Sequence, residues 1–124
     1  MRDLIDLNFG IETKHFINEY HEREKNFNWV VMCFHTPFVY EFNGRTLRGE
    51  VGDCLINSPG KRLKHGPVEG AEEGFKNDWI FLGGSDVQYL MEKYNLPIDI
   101  TFPTENPSFL ADYLKRIAFE RINC

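Results

Sequence analysis

The sequence predicts a mainly β domain, a small antiparallel barrel or sandwich, followed by two helices. The stretch 38–60 contributes most to this prediction, because its three turns fall about eight residues apart with strand-like runs between them. The first turn, Asn43-Gly44, is a strong hairpin signal, since both of its residues readily take positive φ. Gly52-Asp53 and Pro59-Gly60 are the other two turns. After residue 84 the apolar residues recur at helical spacing instead.

The composition fits one domain with a substantial core. The chain has 124 residues, of which 42% are hydrophobic, and this length buries most of its apolar surface without disulfides. Eleven Phe, five Tyr and two Trp favour strands and an aromatic interior, where most of these rings fill the core. The net charge of −5 argues against this chain itself gripping a phosphate backbone, which takes a basic face.

The cysteines and the apolar runs predict a reducing compartment. Cys33, Cys54 and Cys124 have the spacing of neither a disulfide framework nor a zinc motif, and the first two lie in apolar runs typical of core residues. Residues 1–20 are polar and charged, so no signal peptide is visible. No apolar run reaches the roughly 18 residues of a membrane span. We therefore expect a cytoplasmic protein with no membrane contact.

The strands are predicted from period-2 patterns and apolar runs. Partial alternation over residues 4–11 indicates an edge strand, and the charged segment 20–26 reads as a loop. The nearly continuous apolar run 27–35 is typical of a strand covered on both faces. Further strands are predicted over 38–42, 46–51, 54–56 and 75–82, and the polar segment 61–74 reads as a loop with room for one short strand.

The predicted strand 75–82 has the pattern of a strand that lines a ligand pocket. One face would carry Phe75, Asn77, Trp79 and Phe81, and the other Lys76, Asp78, Ile80 and Leu82. A tryptophan ring can stack on a sugar or an apolar ligand, and an amide both donates and accepts hydrogen bonds. Parity does not settle which face is inside, so the alternative is that Trp79 packs against the helices and Asn77 bonds the backbone.

Two helices are predicted after the last strand. Ser85 or Asp86 can cap the first, whose apolar residues recur up to Asn95 before Pro97 ends it. A short extended segment over 98–102 follows, and Asn106-Pro107 then begins a helix that continues to the final residues. We assign residues 1–83 to the β region and 84–124 to the helical region of a single domain.

This order of features resembles the N-terminal effector-binding and dimerisation domain of AraC-type bacterial transcriptional regulators. The shared features are Arg23 before the long strand, the Asn43-Gly44 hairpin, Gly52-Asp53 with Pro59-Gly60, His65, the strand Asp78-Trp79-Ile80-Phe81, Leu96-Pro97 and a long helix from near Pro107. The resemblance covers roughly residue 20 to the C-terminus. It implies a cupin-like antiparallel β-barrel of jelly-roll type that binds a small-molecule effector, forms a homodimer and has neither catalysis nor a cofactor. DNA would be bound only by a C-terminal helix-turn-helix domain, which this chain does not contain.

The predicted ligand-binding residues combine this resemblance with the strand pattern. They are Arg23, Trp29, His35, Tyr40, His65, Asn77 and Trp79. The resemblance implies that Arg23 reaches over the barrel mouth to bind a hydroxyl or carboxylate group, and a solvated loop arginine is the alternative. Tyr40 would close the pocket or serve as a core residue. Such a pocket fits a sugar and also an aromatic acid.

Two other readings remain open. The first is a metal-dependent cupin enzyme, a dioxygenase or sugar isomerase, that uses His35, Glu41 and His65 as ligands, because imidazole and carboxylate suit iron, manganese or zinc. Thr36-Pro37 follows His35 in place of a second histidine, so we expect no metal site. The residue order shows neither a Ser-His-Asp nor a Cys-His arrangement, so we expect no catalytic residues. The second is a dimerisation module without an effector, whose barrel is filled by its own side chains.

The last helix is predicted to form the dimer contact. Its stripe, made by Leu110, Tyr113, Leu114 and Ile117 among others, follows a three-and-four spacing. Such a stripe must be buried either on the chain's own barrel or on a second chain.

Overall fold

The structure, a computed structural model, describes residues 5–15, 21–23, 27–61, 63–106 and 108–123, with the side chains of 8–15, 27–61, 64–106 and 108–119. Within these ranges the chain forms nine strands and two helices. The strands are β1 (Ile5–His15), β2 (His21–Arg23), β3 (Trp29–Phe34), β4 (Phe38–Phe42), β5 (Arg45–Gly49), β6 (Asp53–Asn57), β7 (Leu63–Gly66), β8 (Phe75–Gly83) and β9 (Phe102–Pro103). The helices are α1 (Asp86–Lys93) and α2 (Phe109–Asn123).

The strands form two antiparallel sheets. The five-stranded sheet has the order β1-β8-β3-β6-β9, and the four-stranded sheet has the order β2-β7-β4-β5. The prediction of a mainly antiparallel β domain with two C-terminal helices is therefore confirmed. In the part of the chain that the structure describes, the two sheets pack as a sandwich and do not close into a barrel.

The main core lies between the two sheets. The five-stranded sheet contributes Val30, Met32, Phe34, Leu55 and Phe75, and the four-stranded sheet contributes Phe38 and Tyr40. The Phe34 and Phe38 rings stack across the interface with a centroid distance of 3.5 Å. Gly49 lies opposite Phe38 in the β4–β5 register, and a Cβ at this position would collide with the Phe38 ring. A glycine here lets the large ring lie flat against the neighbouring strand.

The helices cover the outer face of the five-stranded sheet. Leu110 and Leu114 of α2 pack in one cluster with Cys33, Cys54 and Ile80. Val87 and Met91 of α1 pack in another cluster with Ile56. β3 and β6 are consequently buried on both faces, as the continuous apolar run 27–35 predicts.

The predicted turns are confirmed. Asn43 and Gly44 have φ angles of 51° and 77°, so both hairpin residues are in the left-handed region. Gly52 has φ 87°, and its N–H donates to the Phe34 carbonyl oxygen at 2.8 Å. The first turn joins β4 to β5 within the four-stranded sheet. The second turn takes the chain from β5 across the core to β6 of the five-stranded sheet.

The predicted loop over 20–26 is wrong at its centre, because His21–Arg23 form β2 and pair with β7. Short, charged strands are common at sheet edges, where charges discourage pairing with another chain. The predicted extended segment 98–102 also differs, since only Phe102–Pro103 form a strand, β9. Asp99 instead has φ 63°, and its carboxylate accepts hydrogen bonds from the Ser58 N–H and hydroxyl groups.

The predicted helices are confirmed with small changes at their ends. α1 ends at Lys93 rather than Asn95, because Asn95 has φ 50° and leaves the helical conformation. Pro107, predicted as the first residue of the second helix, lies outside the described residues. Neither described helix has both the length and the apolar character that crossing a bilayer requires.

Candidate functional site

The inner face of β8 lines the space between the sheets. Phe75 belongs to the inter-sheet core, and Trp79 and Phe81 pack against that core as half-buried side chains. The predicted grouping of alternate residues on this strand is therefore confirmed. Trp79 faces the opposite sheet and not the helices, so the packing alternative for this residue does not hold.

The Trp79 ring is positioned by β1. Gly10 lies directly opposite Trp79 in the β1–β8 register, and a Cβ on Gly10 would lie 2.5 Å from the indole nitrogen. The indole N–H donates to the Thr13 Oγ1 atom at 3.1 Å. The ring also meets Phe81 edge-on, with centroids 5.5 Å apart. Together these contacts fix the orientation of a half-buried aromatic surface.

The other end of the inner face is closed by a polar and aromatic cluster. Asn77, which is 1% exposed, has its Oδ1 atom 3.1 Å from the His15 Nε2 atom. The His15 ring stacks on Phe75 at 4.4 Å, and His65 meets the edge of the same ring at 5.7 Å. Asn77 and His65 are therefore components of a packed interior.

Tyr40 connects the two halves of the sandwich. Its side chain is buried, and its hydroxyl oxygen lies 3.2 Å from Thr101 Oγ1 and accepts the Thr101 N–H group at 3.3 Å. Thr101 immediately precedes β9 of the five-stranded sheet. The hydroxyl group of Tyr40 is thus used in holding this segment over the core.

Two of the predicted ligand-binding residues lie on the opposite, outer face of the five-stranded sheet. Trp29 lines a cavity of about 460 Å³ beside α1, together with Met91, Glu92 and Ile98. The structure therefore does not bring Trp29 together with Trp79, because β3 alternates its side chains between the two faces.

His35 forms a hydrogen bond with a buried carboxylate on this outer face. Its Nε2 atom lies 2.8 Å from Asp78 Oδ2, and the Asp78 side chain has no exposed surface. The second carboxylate oxygen, Oδ1, accepts the Glu12 N–H group at 2.7 Å. Both oxygens of Asp78 are thus satisfied, which is the condition for burying a carboxylate.

The residues of the metal-dependent reading fall on three different surfaces. His35 lies on the outer face of the five-stranded sheet and His65 lies in the inter-sheet core, where it meets Phe34 and Phe75. Glu41 lies on the other side of β4 from Tyr40 and lines a separate cavity of about 180 Å³. Among the described side chains, no group of three His, Cys, Asp or Glu residues could hold a metal ion.

Arg23 belongs to β2, where its backbone pairs with Leu63 of β7. Its side chain lies outside the described part of the chain, as do those of His21 and Glu22. The proposed reach of Arg23 over the site stays a prediction.

Sequence reasoning missed Gly10, Thr13, His15 and Asp78. Gly10 lies within the alternating stretch 4–11, and Thr13 and His15 follow it. Two register shifts in β1, between Asp6 and Asn8 and between Gly10 and Thr13, disturb the alternation there. The burial of Asp78 could have been predicted from the sequence. Asp78 shares its face of the strand with Ile80 and Leu82, and the two helices that follow can cover that face. A carboxylate between apolar residues on a face that helices cover is expected to be buried and paired.

No model of a known protein family matches this chain, and a search of curated proteins also finds no match.

Proposed function

We propose that this chain is a small-molecule-sensing, dimerising domain of the AraC regulator type, with its effector bound between the two sheets beside Trp79. In this proposal the sandwich is a cupin-like jelly roll. One observation supports it above the others: one end of the inner face carries aromatic side chains that are only half-buried, while the other end is packed.

The half-buried residues come from both sheets. Phe42 and Leu47 of the four-stranded sheet, with Trp79 and Phe81 of the five-stranded sheet, flank the main core without being buried in it. Phe34 and Phe38, further along the same space, have no exposed surface. Side chains that point inwards and still reach solvent mark an accessible interior, and small-molecule sites are typically lined by such aromatic and apolar surfaces.

The chemistry of this end favours a flat or partly apolar ligand that carries a few hydrogen-bonding groups. The indole ring of Trp79 offers a face for stacking on a sugar ring or an aromatic acid. The Thr13 hydroxyl group lies beside that ring and can both donate and accept. The net charge of the chain, −5, supports an effector site rather than direct contact with DNA.

β1 provides a physical route from this site to the last helix. Gly10 and Thr13 contact Trp79, while Phe9 and Ile11, on the other face of the same strand, pack with Leu110 and Leu114 of α2. A ligand that contacts Trp79 and prefers one position of β1 would therefore also bias the position of α2. A DNA-binding domain attached after α2 would receive that change.

The dimer contact would use the outward face of α2. Leu110 and Leu114 are already buried against their own sheet, whereas Tyr113 is 57% exposed and Phe109 is 40% exposed. The predicted dimer stripe is therefore divided, and we propose Tyr113 as the residue that meets a second copy of the chain.

A thermal-shift screen tests the sensing proposal. We expect a member of a panel of sugars, sugar acids and aromatic acids to stabilise the protein. A ligand at a hundred times its dissociation constant stabilises by about 2.7 kcal/mol, which is a shift of several degrees for a domain of this size. Trp79→Ala should abolish the shift, and Trp29→Ala, which removes the same side chain from the opposite face of the sheet, should preserve it. A shift lost with Trp29→Ala and kept with Trp79→Ala would contradict the proposed site.

A further inference from the structure

Cys33 and Cys54 form a directly opposed pair of thiols beneath α2. They are partners in the antiparallel register of β3 and β6, and neither side chain has exposed surface. Both side chains belong to one buried cluster with Ile80, Leu110 and Leu114. Directly opposed side chains on one face of an antiparallel pair lie within reach of each other.

The backbone geometry is close to what a disulfide needs. Directly opposed residues in antiparallel strands have Cα atoms about 4.5–5.5 Å apart, within the range of about 4.4–6.8 Å found in disulfides. Their Cβ atoms are about 4.5–5.5 Å apart, against about 3.5–4.5 Å in a disulfide, so a small local approach of β3 and β6 closes the bond. A disulfide that pulls two strands together is more easily reduced than a relaxed one, which suits reversible use.

We propose that Cys33 and Cys54 are a reversible oxidation site, which hydrogen peroxide converts to an intramolecular disulfide between β3 and β6. The Cys33 thiolate attacks one oxygen of peroxide, so that an S–O bond forms, the O–O bond breaks and hydroxide leaves. The Cys54 thiol then attacks the resulting sulfenic acid, an S–S bond forms, the S–O bond breaks and water leaves. Each sulfur atom is oxidised by one electron, and the two peroxide oxygens are reduced.

The local electrostatics assign the two roles. The hydrogen bond donated by Cys54 lowers the pKa of Cys33, although burial and the nearby Asp78 and Asp53 carboxylates oppose that change. The same hydrogen bond, together with burial, raises the pKa of Cys54. Cys33 therefore has the greater thiolate fraction and is the attacking group, and Cys54 resolves the sulfenic acid.

Access to the pair is controlled by α2. Leu110 and Leu114 pack in the cluster that contains both cysteines, so peroxide reaches the Cys33 sulfur only when this helix moves away from the sheet. A helix that packs on the outside of a sheet can open locally at lower free energy than the central strands of that sheet do. Because this site lies on the other face of the sheet from Trp79, its oxidation does not depend on the proposed effector function.

Peptide mapping after peroxide treatment tests the proposal. The purified protein is exposed to hydrogen peroxide, its remaining thiols are alkylated with iodoacetamide in denaturant, and the monomer is digested with trypsin. The three cysteines fall in separate tryptic peptides, 26–45, 49–61 and 122–124. We expect peptide 26–45 linked to peptide 49–61, two hydrogen atoms lighter than their sum and carrying no alkyl group, and lost after dithiothreitol.

Three variants test whether the linked peptide depends on Cys54, is independent of Cys124 and is limited by the packing of α2. Cys124→Ser should keep the linked peptide, Cys54→Ala should eliminate it, and Leu114→Ala should form it several-fold faster because α2 is held less tightly. The proposal is overturned if both Cys33 and Cys54 remain alkylated in the wild-type and Leu114→Ala proteins. It is equally overturned if Cys33 proceeds to the sulfinic acid, or pairs with Cys124, without a link to Cys54.

Discussion

Asp78 is a single residue that shows how a carboxylate is stabilised on the face of the five-stranded sheet that the helices cover. The carboxylate is fully buried, and it accepts hydrogen bonds from the His35 ring and the Glu12 N–H group. Glu12 has φ 47°, an unusual conformation for a residue with a side chain, and Asp78 holds its backbone there. One side chain thus connects β8 to the irregular part of β1 and to the end of β3.

Replacing Asp78 should therefore reveal a hydrogen-bonding role rather than a packing role. Asp78→Ala leaves two part-buried donors, the His35 ring and the Glu12 N–H group, without their acceptor. We expect it to lower the free energy of unfolding by about 1–3 kcal/mol. Asp78→Asn keeps an acceptor oxygen for the Glu12 N–H group and should cost less. Urea denaturation of the two variants measures the difference, and equal losses for Ala and Asn would contradict this role.

Sequence patterns predict which side chains of a strand share a face, but they do not predict which face lies towards the core. Period-2 alternation correctly grouped Phe75 with Trp79 and separated both from Asp78, because side-chain parity in a strand is local. Trp29 and Trp79 are both tryptophans in strand-like apolar runs, yet they lie on opposite faces of the same sheet. That distinction depends on which face the helices cover, which is a tertiary fact that no local pattern contains.

At the scale of elements, α2 has two faces with different partners. Leu114 has no exposed surface and belongs to the core, whereas Tyr113, its neighbour in sequence, is mostly exposed. The sequence identified the helix and its apolar spacing but could not assign each position to the chain's own sheet or to another chain. The charged β2 strand was missed for a related reason, because a three-residue edge strand is defined by its partner, β7, more than by its own composition.

The dimer proposal can be tested with one substitution on each helix. Tyr113 on α2 and Tyr89 on α1 are 57% and 59% exposed, so Tyr113→Glu and Tyr89→Glu place the same new charge on two similarly exposed helix faces. We expect Tyr113→Glu to shift the protein towards monomer in sedimentation velocity, because a carboxylate buried at a dimer contact is costly. Tyr89→Glu should leave the dimer unchanged. A monomeric wild-type protein, or equal effects of both variants, would contradict the role of α2.

At the scale of the whole molecule, β1 links the inner face of the sandwich to the helical layer. Its alternate residues contact Trp79 on one side and α2 on the other, so the candidate site and the candidate dimer helix share one edge strand. The turn chemistry of Asn43-Gly44 and Gly52 was enough to predict that β4, β5 and β6 are short strands separated by turns. The position of β1 was not predictable in the same way, because it pairs with β8, some seventy residues later in the chain.

Single-tryptophan fluorescence distinguishes an effector bound beside Trp79 from one bound in the cavity beside α1. The chain has two tryptophans, so Trp29→Phe leaves Trp79 as the only reporter and Trp79→Phe leaves Trp29. Each protein is titrated with the panel of sugars, sugar acids and aromatic acids. We predict a saturable change in emission for the protein that retains Trp79, and none for the protein that retains Trp29. A saturable change reported by Trp29 alone would place the ligand in the cavity beside α1 and rule out the proposed site beside Trp79.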